Sequence, residues 1–395
     1  MEGKNYLKKN QLLLTTLGIV MLGVVMRAPF TALPAILTDV AADLGVNVSS
    51  LGILTSIPLI MFALCSSLAP KLAEKFGMEK LMAIVLFVMV IGSGMRILGL
   101  PFLFLGTVIV GATIAFINVL LPSLVTANFP KKIGLYTTIY ITLMGVAATV
   151  AAMIAVPIVS ASSWQFFVLL ITGVVFLAFI IWLPTTRNNH RFEAKEQNQQ
   201  SSSIWKNKAA LAFLMFGGLQ SVLYYTEITW LPTISQSVGF SKAEAGLMAG
   251  FFNMTAIPMS MIIPAILSRQ SKEMRRNIML AISSATLVGL VMMALIPANF
   301  VLWSALHIIL SFSNAALFPY MMLGFTLKTS NSQATAQLSG MVQTGGYLIA
   351  AFGPGLLGYS FPLFGSWMPL ILALAVVTIS MMWTIVLIEK EDIIV

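Results

Sequence analysis

Long apolar runs recur along the whole chain, each about the length needed to cross a bilayer (roughly 20 residues), with nearly all charge confined to their ends. Twelve spans are expected: 12–38, 49–70, 80–99, 102–126, 134–159, 164–183, 209–237, 243–267, 277–296, 300–327, 336–360 and 364–388. A chain of 395 residues that is 58% hydrophobic and 9% charged, with mean hydropathy +0.95, has too little charge to clothe a soluble surface. Repeated apolar runs of this length make an all-α, polytopic membrane protein the expectation. No separate soluble domain is expected. The longest polar stretch, from Thr185 to Lys208, is too short and too poor in apolar residues to fold alone.

The net charge of +9 is topological rather than a sign of nucleic-acid binding. Arg27 and Arg96 fall inside spans and Lys242 lies on one side of the membrane; every other lysine and arginine falls on the opposite side, among them Lys71, Lys131, Lys132, Arg187, Arg275 and Lys328. By the positive-inside rule that side is the cytoplasm and holds both termini. The basic start, from Met1 to Asn10, leads straight into a span too long for a signal-peptide core, so no cleaved leader is expected. Cys65 is the only cysteine and lies mid-span, where helix packing is its expected role. Trp164, Trp303 and Trp367 each open a span on the outer side and are expected as interfacial anchors.

The two halves echo each other. Leu33-Pro34 recurs as Leu231-Pro232; Gly45, Gly52 and Pro70 recur as Gly239, Gly246 and Pro264; Asn118 and Pro122 recur as Asn314 and Pro319; Pro157 recurs as Pro354. In order, and at nearly constant offset, these matches indicate duplication of a six-helix unit. The expected division is an N-terminal bundle over 1–184, a flexible cytoplasmic linker over 185–208 and a C-terminal bundle over 209–395.

Two six-helix halves of like orientation joined by a cytoplasmic loop resemble the major facilitator superfamily. The loop after span two, from Pro70 to Lys80, resembles that family's Gly-x-Leu-Ala-Asp-Arg-x-Gly-Arg-Arg-like motif: Leu72, Ala73 and Gly77 match, Glu74 and Lys75 are conservative, and the leading glycine is lost. The resemblance implies a conformational latch there; an ordinary charged turn is the simpler reading. Within the superfamily, several segments resemble the cyanate/2-nitroimidazole transporter (CynX/NimT) family. They are Met26-Arg27-Ala28-Pro29-Phe30-Thr31-Ala32 with Leu33-Pro34, Met95-Arg96-Ile97-Leu98-Gly99, Asn118-Val119-Leu120-Leu121-Pro122, Gly218-Leu219-Gln220-Ser221 with Tyr224-Tyr225 and Trp230-Leu231-Pro232, and Gly346-Tyr347 running to Gly353-Pro354. The resemblance implies a major facilitator fold of twelve transmembrane helices in two pseudo-symmetric bundles, alternating access around a mid-membrane site, and a small polar or anionic cargo.

Two buried charges carry the expected chemistry. Arg27 lies ~27 Å of helix after Lys9 and ~18 Å before Asp39, too deep to snorkel to either surface. Its planar fork of donors suits a carboxylate, nitro or other oxyanion group; pairing with a helix end or with Glu227 is the structural alternative. Glu227 lies ~28 Å beyond Lys208, and Gln220, Tyr224 and Glu227 share a helix face at i, i+4, i+7. It is expected either to exchange a proton during transport or to pair with Arg27 when the site is empty; a permanent packing pair is the bland counterpart. Asn118, Gln220, Tyr224, Asn314, Gln343 and Tyr347 are expected to orient the solute. Arg96, Trp230 and His307 are secondary or gating candidates, with snorkelling the plain reading for Arg96 and a satisfied structural histidine the plain reading for His307.

No phosphate-binding Gly-Lys-Ser/Thr loop, metal-ligand cluster or nucleophile–base motif is present, so neither an enzyme nor a cofactor or metal is expected. The expectation is a proton-coupled secondary transporter of a small cyanate-, nitro- or carboxylate-like solute. It would be a monomer in the bacterial inner membrane whose partners are solute, protons and lipid. Broad drug efflux through the aromatic and Met-rich walls is the alternative, and a non-transporting sensor or scaffold the more distant one.

Overall fold

The structure, a computed structural model, describes residues 2–31, 33–46, 51, 54, 57–191 and 204–395. The side chains of Lys4, Lys8, Lys9, Thr31, Pro34 and Lys242, together with Gly52 and Lys195, lie outside what is described. In chain order the helices are α1 (Glu2–Val25), α2 (Ala28–Thr31), α3 (Leu37–Leu44), α4 (Ile57–Cys65), α5 (Leu68–Phe76), α6 (Met78–Met95), α7 (Leu100–Asn128), α8 (Ile133–Ala161) and α9 (Trp164–Trp182). They continue as α10 (Lys208–Ser237), α11 (Lys242–Met254), α12 (Ala256–Leu267), α13 (Lys272–Leu295), α14 (Phe300–Leu327), α15 (Ser332–Gly358), α16 (Ser360–Phe364) and α17 (Met368–Lys390). Among the described residues no strand occurs.

Among the described residues nine helical stretches are long and apolar enough to cross a membrane, and the pair α4–α5, bent by 58°, makes a tenth. The first span contributes the shorter apolar stretch Leu13–Val25, and α15 has the length but is interrupted by glycines and polar side chains. Large apolar side chains such as Leu64, Leu295, Val301 and Trp383 point outward, as lipid-facing residues do.

The chain divides into two compact units, one of Met1–Gln200 with Asn331–Gly340 and the other of Ser201–Ser330 with Met341–Val395. In the first unit α6 and α7 form a tight hairpin through Gly99, whose φ of 120° is accessible chiefly to glycine. An apolar cluster including Leu33, Ile36, Val40, Leu103, Trp164 and Phe167 packs the same unit. The start of α15 belongs here too: Gln333 Nε2 donates to Glu74 Oε1 at 3.3 Å. In the second unit α10 packs along α17, and α13 packs on α14 and α17.

The repeat is visible in backbone geometry. Gly45 and Gly239 close the first span of their halves at positive φ, 64° and 116°. The second span is broken in both halves, after Cys65 and at Thr255. At the latter break Ser311 hydrogen-bonds the Phe252 carbonyl and pairs with the Thr255 hydroxyl. A third parallel is ionic. Glu79 and Arg275 lie in the first turns of α6 and α13, and each ties its helix to the segment that ends its half. Glu79 Oε2 accepts from His190 N at 2.7 Å and Oε1 meets His190 Nδ1 at 2.6 Å. Arg275 Nη2 donates to Glu389 Oε2 at 3.2 Å.

Three expectations need correction. The 185–208 segment is not featureless at its ends: Leu183–Asn188 is a 3-10 helix, Thr185 is buried, His190 is pinned by Glu79, and Asn207 Oδ1 caps α10 through the Ala209 and Ala210 amides. Trp164, Trp303 and Trp367 are buried rather than interfacial, at 3%, 1% and 8% exposure. Trp164 Nε1 donates to Asp43 Oδ2 at 2.8 Å, and Trp367 packs against Trp230 and Phe361. Arg96 does not snorkel; it is 2% exposed, because a backbone carbonyl holds it inside.

Candidate functional site

In the first unit Arg27 and Arg96 lie at a break in the first span. Pro29 has no N–H to give the Val25 carbonyl and its ring crowds that carbonyl, so α1 stops at Val25, Met26 and Arg27 form a turn, and α2 begins at Ala28. Arg27 therefore sits at a discontinuity, not mid-helix as its sequence depth implies, and is half-buried between the buried Met26 and Ala28. Irregular backbone at membrane depth survives only where protein or a polar cavity satisfies it. Here part of that role falls to Arg96, whose Nη1 donates to the Pro29 carbonyl at 2.9 Å. Asn118, on α7, is 4% exposed with Oδ1 buried and without a partner. Pro122 four residues on removes the N–H that would bond the Asn118 carbonyl.

In the second unit the polar face of α10 is real, but its members are not equivalent. Glu227 is 1% exposed, and its Oε2 accepts from Asn314 Nδ2 of α14 at 2.8 Å. Its Oε1, the Asn314 Oδ1 and the neighbouring Thr226 hydroxyl are buried without partners. Gln220 is engaged locally, donating to the Gly217 carbonyl at 3.2 Å and to Ser221 Oγ at 2.6 Å. Tyr224 is half-buried and meets Tyr225 edge-on with centroids 5.2 Å apart.

Gln343 and Tyr347 are buried one turn apart on α15. Small residues let α15 approach α10 closely: a Cβ on Gly346 would lie 3.1 Å from the Gly217 carbonyl carbon and from the Gly218 nitrogen. Trp230 is occupied as packing, donating from Nε1 to the Pro354 carbonyl at 2.9 Å. His307 follows its plain reading, with Nδ1 against the Trp303 carbonyl at 2.8 Å and Nε2 a long 3.4 Å from Ser235 Oγ.

Thus the structure joins Glu227 to Asn314 and Arg96 to the segment that follows Arg27. A carboxyl and an amide whose free oxygens are both acceptors can be completed by a proton or by a donor-bearing solute. Sequence reading missed a second buried ionic cluster, at one end of the second unit: Glu389 accepts from Lys328 Nζ at 2.7 Å, from Tyr320 Oη at 2.9 Å and from Arg275. Lys328 is 1% exposed. Its signal in the sequence is a lysine and a glutamate at ends of apolar helices, indistinguishable from ordinary interfacial charge.

The sequence matches the Major Facilitator Superfamily profile over residues 15–354. It is 35% identical over 373 residues to the uncharacterized transporter YycB of Bacillus subtilis (strain 168), covering 93% of this chain and 92% of that protein. It is 32% identical over 379 residues to the 2-nitroimidazole transporter of Escherichia coli (strain K12), covering 94% of each. Among solved structures, the transporter FucP in its outward conformation superposes with a TM-score of 0.74 at 14% identity, over 95% of this chain and 98% of FucP. The proton:xylose symporter XylE bound to 6-bromo-6-deoxy-D-glucose gives 0.71 at 12%, over 97% and 95%; these two likenesses concern the fold. The chain is a multi-pass membrane transporter, not an enzyme. It belongs to the major facilitator superfamily and, within it, to the cyanate/2-nitroimidazole transporter family.

Proposed function

We propose that this transporter moves a small anionic or strongly polar solute, cyanate-, nitro- or carboxylate-like, by alternating access coupled to protons. It would act as a monomer in the bacterial cytoplasmic membrane, with both termini inside, bundles over 1–184 and 209–395, and 185–208 joining them. The observation that carries the reading is Glu227, buried in the second unit, bound to the neutral Asn314 amide and left with one oxygen unpartnered. A dry carboxylate costs several kcal/mol unless a proton or a cation completes it. Arg27, at the break of the first span, supplies a permanent positive charge with donors in a planar fork. Asn118, Gln343, Tyr347, Tyr224 and Gln220 orient the solute, while Arg96, Trp230 and His307 support the surrounding backbone. The name of the Escherichia coli relative supports a nitro-bearing or similarly compact polar cargo.

The test is uptake by proteoliposomes of a panel of labelled small anions and neutral analogues, with and without an inward proton gradient. Gradient-stimulated uptake of an anionic or nitro solute is expected. Arg27→Ala abolishes that uptake while the protein still folds, and Glu227→Gln abolishes its response to the gradient. Uptake of bulky neutral compounds only, or normal uptake by Arg27→Ala, refutes the proposal and favours broad efflux.

A further inference from the structure

Arg96 carries a buried charge with no counter-charge among the described residues. Among the described residues no carboxylate lies within ion-pair distance of its guanidinium; its hydrogen bond goes from Nη1 to the Pro29 carbonyl, and Nε is buried with no partner. The two other charged hubs described above, Glu79 and Glu389, both meet groups of opposite or compensating charge. Against Arg96 lies a small cavity of about 10 Å³, walled by Pro29, Ser93, Phe167, Val168 and Ile171. That volume is about one small sphere, enough for a single water or ion.

A water would satisfy the Nε hydrogen but leave the charge uncompensated, and an uncompensated buried ion costs several kcal/mol. An anion does both. The apolar wall excludes a large polyatomic guest and places the guanidinium in a poorly screened setting, where its attraction for an anion is strong. Thr172 gives its hydroxyl hydrogen to the Val168 carbonyl, so Ser93 is the donor in the 2.8 Å Ser93–Thr172 bond; turned into the cavity, that hydroxyl becomes a second donor.

We propose that this cavity is a binding site for one small monovalent inorganic anion of halide size, held by Arg96. The site lies within the first unit and is independent of the solute proposed above. Because the same guanidinium grips the Pro29 carbonyl, two residues beyond Arg27, a bound anion fixes Arg96 and braces the break in the first span.

The experiment is thermal unfolding of the full-length protein in lipid nanodiscs at constant ionic strength, with chloride or bromide replacing gluconate, which is too large to enter. A saturable rise in Tm with either halide is expected, lost in Arg96→Met and in Ile171→Phe, which fills the cavity but keeps the arginine. Arg27→Gln retains the rise. Equal Tm in chloride and gluconate, or a halide effect that survives Ile171→Phe, overturns the proposal. Should Arg96→Met fail to fold, direct binding of radioactive chloride to wild type and Ile171→Phe decides the matter. A halide effect lost in Arg27→Gln but kept in Ile171→Phe places the anion at Arg27, refuting this site while leaving the transport reading intact.

Discussion

Glu389→Gln is the sharpest probe of what holds the second unit together. Glu389 is 4% exposed and accepts from Lys328 Nζ at 2.7 Å, Tyr320 Oη at 2.9 Å, Arg275 Nη2 at 3.2 Å and Arg275 Nε at 3.4 Å. Glutamine preserves shape and can still accept from the tyrosine, but its amide hydrogens face an ammonium. Lys328, at 1% exposure, has no access to water and keeps one acceptor, the Glu391 carbonyl at 2.6 Å. Arg275 suffers less, since Nη1 also donates to the Gln270 carbonyl at 2.8 Å. Removing one partner of a buried ion pair costs about 3–5 kcal/mol. At roughly 2–4 °C per kcal/mol for a body of this size, Tm in a detergent scan falls by on the order of 10 °C.

Two further readings of the same variant follow. Burial pulls the Lys328 ammonium below its ordinary value, and Glu389 opposes that pull. Without Glu389 the main upward influence is gone and only the smaller one of Asp392 is left, so raising the pH neutralises Lys328 more readily and the deficit of the variant shrinks. The double variant Lys328→Met/Glu389→Met removes both charges and recovers most of the loss, because an apolar pair of similar volume is near neutral in such a position. A Glu389→Gln protein within about 1 kcal/mol of wild type, or a double variant as unstable as the single one, refutes the reasoning.

Other perturbations test the packing and the first unit. Gly346→Leu forces a side chain into the α10 backbone and destabilises by about 1–3 kcal/mol, with Gly346→Ala milder, read as loss of Tm and of folded yield. The Glu79 carboxylate beside it raises the His190 imidazole above its ordinary 6.5. Its stabilising contribution is therefore complete below pH 6.5 and is lost as pH rises through the raised value. Wild type then loses stability relative to His190→Gln as pH climbs through that window, whereas parallel pH profiles for the two proteins would refute this sign.

The parts of this molecule that a single residue can announce were legible in its sequence. Apolar length marks the spans, the lysine and arginine asymmetry gives an expected orientation, and Arg27 and Glu227 stand out because an ionisable group in such a run is rare. What depends on a partner far along the chain was not legible. Arg96 is buried because a backbone carbonyl 67 positions away accepts its hydrogen bond, and a carbonyl has no sequence signature. Glu79 reads as part of a charged cytoplasmic turn until His190, 111 positions on, closes on it. The tryptophans that open spans look like interfacial anchors in the sequence, yet Trp164 finds Asp43 and Trp367 finds Trp230 inside their own units. Pro29 was visible as a helix breaker, but that Arg96 would hold the Pro29 carbonyl beside the break was not.

The duplicated halves have divided the chemistry of charge between them. In the first unit the charges that fall inside the expected spans, past their opening residues, are both guanidiniums, groups that donate hydrogen bonds and accept none. In the second it is a carboxyl joined to a neutral amide, a group whose charge state can change within a transport cycle. Related positions bear this out: Asn118 and Asn314 correspond in the repeat, yet Asn314 donates to Glu227 while the buried Oδ1 of Asn118 has no partner. The same inversion recurs at the helix starts, where the first turn of α6 offers an acid to a histidine and the first turn of α13 offers an arginine to an acid. Duplication supplied one scaffold twice, and under the proposed function the first copy would hold the anion and the second the proton. If both are moved, as proposed, that separation serves the cycle, because a single group asked to attract an anion and to accept a proton would weaken each task with the other.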